Sequence, residues 1–242
     1  MLALASALPR LFAQQANALP GLLSRFDAEH DLAAKERLLG EIIEEGSGAA
    51  APLLRLAQAT SNTDTRWMAM RGMGTLHCTA CAAFLEASLK DSNEYVRANA
   101  ARALGDLRIT SASAHVLAAF AAEQERGAIE QESLALSLLR ATASAPNIRE
   151  KIPKYTAQTR EWLIQALGKL GDPSDVPLIA NYLDGRESDI AGEAIEDLTG
   201  VSFGPRPGPG LGSNPSPFAL TAREWWKAHK AAWPRCDDCR PR

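Results

Sequence analysis

The chain has 242 residues, 46% hydrophobic and 23% charged, with a formal net charge of −3. That length can bury a sizeable core, and the mixture is ordinary for a soluble globular protein. The acidic balance argues against nucleic acid or an anionic membrane surface as a partner, and no run of about 18 apolar residues is present to form a spanning helix.

Residues 1–28 form an N-terminal segment with two readings. "MLALASALPRLFAQQANA" begins apolar and carries small residues at Ala16 and Ala18 that would suit a signal peptidase. It lacks a positive start, and Pro9 and Arg10 interrupt the apolar stretch, which suits a frayed helix instead. Cytoplasmic and periplasmic or exported locations both stay open.

From residue 29 to residue 202 the chain repeats. Anchoring on the last apolar residue of similar segments gives Ile42, Leu76, Leu107, Leu139, Leu170 and Leu198, at intervals of 34, 31, 32, 31 and 28. Each ends a triplet at places i, i+1 and i+4: Leu38, Leu39 and Ile42, for example, or Gly72, Met73 and Leu76. The later triplets begin at Ala103, Ala135, Ala166 and Ala194. Such spacing marks one face of a helix, and a small first residue lets a neighbouring helix approach closely. Three residues earlier, Ala69, Ala100, Leu163 and Ala191 continue the apolar face, while Lys35 and Glu132 break it.

Each of these helices precedes a second apolar-faced segment. "DPSDVPLIANYL" is the clearest: Asp172 suits an N-cap, Pro173 the first helical position, and Leu178, Ile179, Tyr182 and Leu183 a buried stripe. No stretch alternates strictly, so strands are not expected. A hairpin of helices repeated every ~31 residues cannot bury its apolar faces alone, and stacked copies can. The expected fold is all-α, a right-handed α-solenoid of about six helical hairpins.

"DSNEYVRANAARALGDL" and "ALGKLGDPSDVPLIANYL" resemble bacterial HEAT-like repeats of the phycobilisome-lyase-like type. Asp91, Val96, Arg97, Ala100, Ala101, Ala103, Leu104 and Gly105 carry the resemblance. It implies an armadillo-like solenoid and says little of activity, because the matching residues are packing residues. The HEAT-like deoxyhypusine hydroxylases bind iron through His-Glu pairs; the four histidines here precede Asp31, Cys78, Val116 and Lys230.

The Gly- and Pro-rich stretch 203–218 should be an exposed loop. Residues 219–233 read as a Trp-rich C-terminal capping helix, with Thr221 and Glu224 as a capping box, and 234–242 as a tail. Trp225, Trp226 and Trp233 either close the end of the core or form an aromatic patch that grips a partner.

All four cysteines lie in two C-x-x-C pairs, Cys78 with Cys81 and Cys236 with Cys239. A solenoid holds the second repeat and the tail far apart, which argues against one shared zinc site. Each pair is a candidate local disulfide, redox pair or set of inert thiols. The repeat register aligns Cys78 with Asp172 and Cys81 with Asp175.

No catalytic, cofactor or metal site is expected from these residues. The leading functional expectation is a protein-interaction or assembly scaffold that binds a protein partner on a curved surface lined by the second helices. An enzyme or enzyme-accessory protein of the phycobilisome-lyase-like group is the alternative that the resemblance implies.

Overall fold

The computed structural model describes residues 18–207 and 215–234. Among them every regular element is a helix: thirteen α-helices and six short 3-10 turns, with no strand. The chain divides into two compact units, Met1–Ala112 and Ser113–Arg242.

The first unit holds α1 (Ala18–Ala28), α2 (Leu32–Glu44), α3 (Ala50–Ala59), α4 (Thr63–Thr75), α5 (Ala82–Ser88) and α6 (Glu94–Asp106). The second holds α7 (Ser113–Ala122), α8 (Arg126–Leu138), α9 (Ala145–Lys151), α10 (Ala157–Leu170), α11 (Val176–Ala180), α12 (Ser188–Thr199) and α13 (Pro217–His229). The first helices of the repeats are α2, α4, α6, α8, α10 and α12, and every residue of their six triplets is buried.

Local chemistry starts and stops these helices at the repeat interval. Asp31, Asn62 and Asn93 stand 31 residues apart, and their side chains accept N–H bonds from the first turns of α2, α4 and α6. Each such cap satisfies a donor the helix cannot satisfy itself. At the other end, His77, Arg108 and Arg140 adopt left-handed backbone at φ 54°, 54° and 53°, and Gly171 takes the equivalent place at 83°. The next N–H reaches back to the helix, from Cys78 to Met73 O at 3.0 Å, Ile109 to Leu104 O at 3.1 Å and Ala141 to Leu136 O at 2.9 Å. This is the Schellman closure, which occupies carbonyls the last turn leaves open. A 3-10 turn then leads into each second helix.

Small residues set the spacing between successive first helices. A Cβ built on Gly74 would lie 3.4 Å from Ala103 Cα, and one on Gly168 would lie 2.8 Å from Ala194 Cα. Ala103 and Ala194 are the small first residues of their own triplets, so the close approach expected of that place is realised.

The two residues that break the apolar face are not turned outward. Lys35 and Glu132 are both fully buried. Lys35 Nζ donates to Phe26 O at 2.5 Å and Thr65 Oγ1 at 2.8 Å, and lies 4.9 Å above the Phe26 ring. Burial pushes its ammonium below the ordinary lysine value, against the pull of Asp27, Asp64 and Glu29. Glu132 faces a lysine too: its charge acts on Lys151, whose Nζ donates to Glu123 O at 2.8 Å and lies 5.2 Å above Phe120. Both units thus set a lysine against an aromatic ring and a backbone carbonyl, fully buried at Lys35 and half-buried at Lys151.

Several expected details shift. Helix α1 packs on α2 through fully buried Phe26, so the first hairpin reaches back before residue 29; residues 1–17 lie outside the described residues. In the fifth repeat Asp172 does cap its turn, accepting from Ser174 N at 3.0 Å. The buried stripe, however, is Val176, Ile179, Ala180 and Leu183, while Leu178 and Tyr182 are half-buried. Helix α13 begins at Pro217, not at Thr221. Ser216 caps it by accepting from Ala219 N at 3.2 Å, and Pro217 suits the first position because it has no N–H to satisfy. Thr221 Oγ1 instead donates to Pro217 O within the first turn, and Glu224 binds Lys227.

Candidate functional site

A groove of about 310 Å³ opens in the first unit between the second helices of consecutive hairpins. Ala57, Gln58 and Thr60 line it from the end of α3, and Phe84, Ala87 and Ser88 from α5. Arg66, Lys90 and Asp91 complete it. Arg66 Nη1 donates to Asp91 Oδ2 at 2.9 Å, while Asp91 Oδ1 accepts from Asn93 N at 2.8 Å. Arg97 Nη1 donates to the Asp91 carbonyl at 2.9 Å. The carboxylate is therefore held from two sides, and the Arg66 guanidinium is fixed against it. Arg66 Nε is buried and has no hydrogen-bond partner among the described residues. A buried N–H left so carries a desolvation cost that its neighbours do not offset.

Arg66 was not singled out as a site residue from sequence, yet the signal was present. It stands 31 positions before Arg97 and 94 before Arg160, at the same place of the repeat. Arg160 behaves alike in the second unit: Nη1 donates to Glu187 at 3.0 Å, Nε to Ile152 O at 3.3 Å, and the guanidinium lies 5.0 Å above Tyr182.

Cys78 and Cys81 are joined as a disulfide with Cα atoms 5.4 Å apart. They occupy the turn between α4 and α5, as the repeat register expects. Cys78 is 9% exposed and Cys81 is fully buried. Cys236 and Cys239 lie outside the described residues. Among the described residues no group of three or more His, Cys, Asp or Glu side chains is arranged to hold a metal ion.

In the second unit the C-terminal aromatics meet. Trp225 lies 6.5 Å from Trp226 and 6.2 Å from Trp233 between ring centroids, and stacks on His229 at 4.9 Å. All three indoles are half-buried. The buried contact of α13 is made by Phe218, Ala219 and Ala222. A Cβ on Gly192 of α12 would lie 2.8 Å from the Phe218 ring, so glycine makes room for it. Phe203, 95% buried by its 5% exposure, bridges this core to Trp225 at 5.6 Å.

Residues 50–138, which include the groove and the disulfide, match the family model for HEAT repeats. The all-helical fold is also similar to a solved structure, the complex of CpcE and CpcF of phycocyanin lyase from Nostoc sp. PCC7120. That likeness covers 90% of this chain and 89% of the other at a TM-score of 0.57 and 18% sequence identity, and shows the fold alone. No curated protein matches the chain. Among the described residues no helix is long and apolar enough to cross a membrane.

Proposed function

We propose that this protein is an assembly scaffold whose HEAT repeats hold a protein partner in the groove between α3 and α5. The observation that carries the reading is the groove itself, with its lining of apolar, cationic and carboxylate side chains. Phe84 and Ala87 offer apolar contact to a side chain of the partner. Arg66 and Lys90 offer donors to a backbone carbonyl or carboxylate beside it. Stacked hairpins present such surfaces without any catalytic group, which is how repeat proteins ordinarily bind.

A second reading, an enzyme or accessory protein with a lyase-like role, draws on the fold likeness to the complex of CpcE and CpcF of phycocyanin lyase. Affinity capture from the native host with mass spectrometry separates the two. The scaffold reading expects a protein recovered with the wild-type chain and lost with Ala87→Trp, which fills the groove from an exposed position. A bound pigment or metal recovered with no protein partner would sink it and favour the second.

A further inference from the structure

We propose that Cys78 and Cys81 form a reversible thiol–disulfide centre, open to small dithiols and dithiol proteins, rather than a brace the fold requires. The proposal is independent of the partner groove. It rests on a comparison the repeat makes within one chain. The turn that carries the disulfide is built four times, and the other three copies place Ile109 and Ala112, Ala141 and Ser144, or Asp172 and Asp175 where the cysteines stand.

The backbone of these turns is the same with and without the cross-link. Cys81 N donates to Cys78 O at 3.0 Å; Ala112 N donates to Ile109 O at 2.9 Å, Ser144 N to Ala141 O at 2.8 Å and Asp175 N to Asp172 O at 3.0 Å. One residue earlier, Thr79 N donates to His77 O, Thr110 N to Arg108 O and Thr142 N to Arg140 O, each at 2.9 Å. The hydrogen bonds of the turn therefore set the Cys78–Cys81 separation, and the S–S bond joins atoms already brought together. Both oxidation states fit one backbone, so the pair gains and loses its bond without moving the helices on either side. The ring it closes spans only four residues, the kind that constrains an unfolded chain least.

Exposure assigns the order of events. Cys78 is 9% exposed, between exposed His77 and Thr79, while Cys81 is fully buried. A thiolate of a dithiol attacks Cys78 Sγ, the S–S bond breaks, and the electron pair stays on Cys81 Sγ, which takes a proton from solvent. The second thiol of the reagent then attacks the mixed disulfide and releases Cys78 as thiol. Two electrons and two protons have moved, the reagent leaves as a disulfide, and the reverse sequence restores the bond.

The test uses the full chain with Cys236→Ser and Cys239→Ser, so that one pair reports. The protein is equilibrated in dithiothreitol buffers of graded redox poise without denaturant, then trapped with a maleimide and weighed. A single reversible two-electron transition is expected, with far-UV circular dichroism unchanged and the melting temperature moved by no more than a few degrees. Reduction that occurs only once denaturant unfolds the chain, or that removes helix, would overturn the proposal. In single variants of that chain, Cys81→Ser should leave Cys78 open to the maleimide and Cys78→Ser should leave Cys81 slow to react; the opposite order overturns the entry sulfur. Peptide mapping of the unmodified wild-type chain after trapping should give the same Cys78–Cys81 pairing, and pairing of either with the tail overturns it.

Discussion

Gly168 in α10 rests directly on the backbone of Ala194 in α12: a Cβ at Gly168 would lie 2.8 Å from Ala194 Cα and 2.9 Å from its Cβ. Backbone cannot swing aside as a side-chain tip can, so Gly168→Ala must push the two helices apart. Alanine favours helix by up to about 1 kcal/mol, whereas overpacking costs about 1–3 kcal/mol. The net expected effect is a loss of about 1–2 kcal/mol. Gly40, with nothing within 4 Å of its own Cβ position, is the control, and Gly40→Ala should stabilise. Denaturant titration of both variants checks this; equal effects would remove the close-approach argument.

Lys35 makes stability depend on pH in a definite direction. Its ammonium is buried, and desolvation holds its folded pKa below the ordinary lysine value. The folded state therefore releases its proton first as pH rises, and between the folded and unfolded values the unfolded chain binds more protons. Stability from this group rises with pH through that window and is constant below it. Lys35→Met removes the slope. Melting curves of wild type and variant from pH 7 towards 10.5 should show wild type gaining on the variant, and a difference that stays flat would contradict the burial.

Arg149 holds the turn that in the second repeat carries the disulfide. Its guanidinium donates to Asp172 Oδ2 at 2.8 Å and to Asp175 Oδ2 at 3.1 Å, with a further short bond from Nε to Asp175 Oδ1. Asp175 is only 1% exposed, so Arg149→Met strands its charge. Breaking a buried pair costs about 3–5 kcal/mol, and with Arg149 itself one-third exposed the lower end, about 3 kcal/mol, is expected. Arg149→Lys should restore only part of this, because an ammonium cannot make the fork. Equilibrium unfolding of the two variants measures both.

The left-handed turn place gives a reciprocal pair of substitutions. Arg140 sits at φ 53° where Gly171 of the next repeat sits at 83°. Left-handed backbone costs an ordinary residue about 1–2 kcal/mol; glycine avoids that cost but gives back part of the advantage through its greater freedom when unfolded. Arg140→Gly should stabilise by up to about 1 kcal/mol and Gly171→Ala should destabilise by about the same. Thermal melts of both variants check the signs, and a destabilised Arg140→Gly would mean that the arginine side chain contributes more than its backbone costs.

The periodic apolar triplets made the fold legible before any coordinates. Leu76, Leu107, Leu139 and Leu170 mark helix ends because helix geometry repeats every turn and stacked hairpins repeat every ~31 residues. The same register placed Cys78 and Cys81 in a turn, and the N-cap at Asp172 was readable because capping is decided by neighbours two or three residues away. These are local or strictly periodic properties, and one chain states them many times over.

What lay beyond the sequence required partners distant along the chain. Lys35 and Glu132 read as interruptions, since nothing in their neighbourhood says that Phe26 O and Thr65, or Lys151, will meet them. Arg66 acquired meaning only when Asp91, 25 residues on, closed the groove beside it. The start of α13 was misplaced because Ser216 and Thr221 both carry cap chemistry, and the burial of Phe218 against Gly192 fixes the helix start at the earlier one. Helix period and caps are short-range and survive in sequence alone. Buried charges, grooves and close backbone contacts are decided by which helices the fold packs together within each unit.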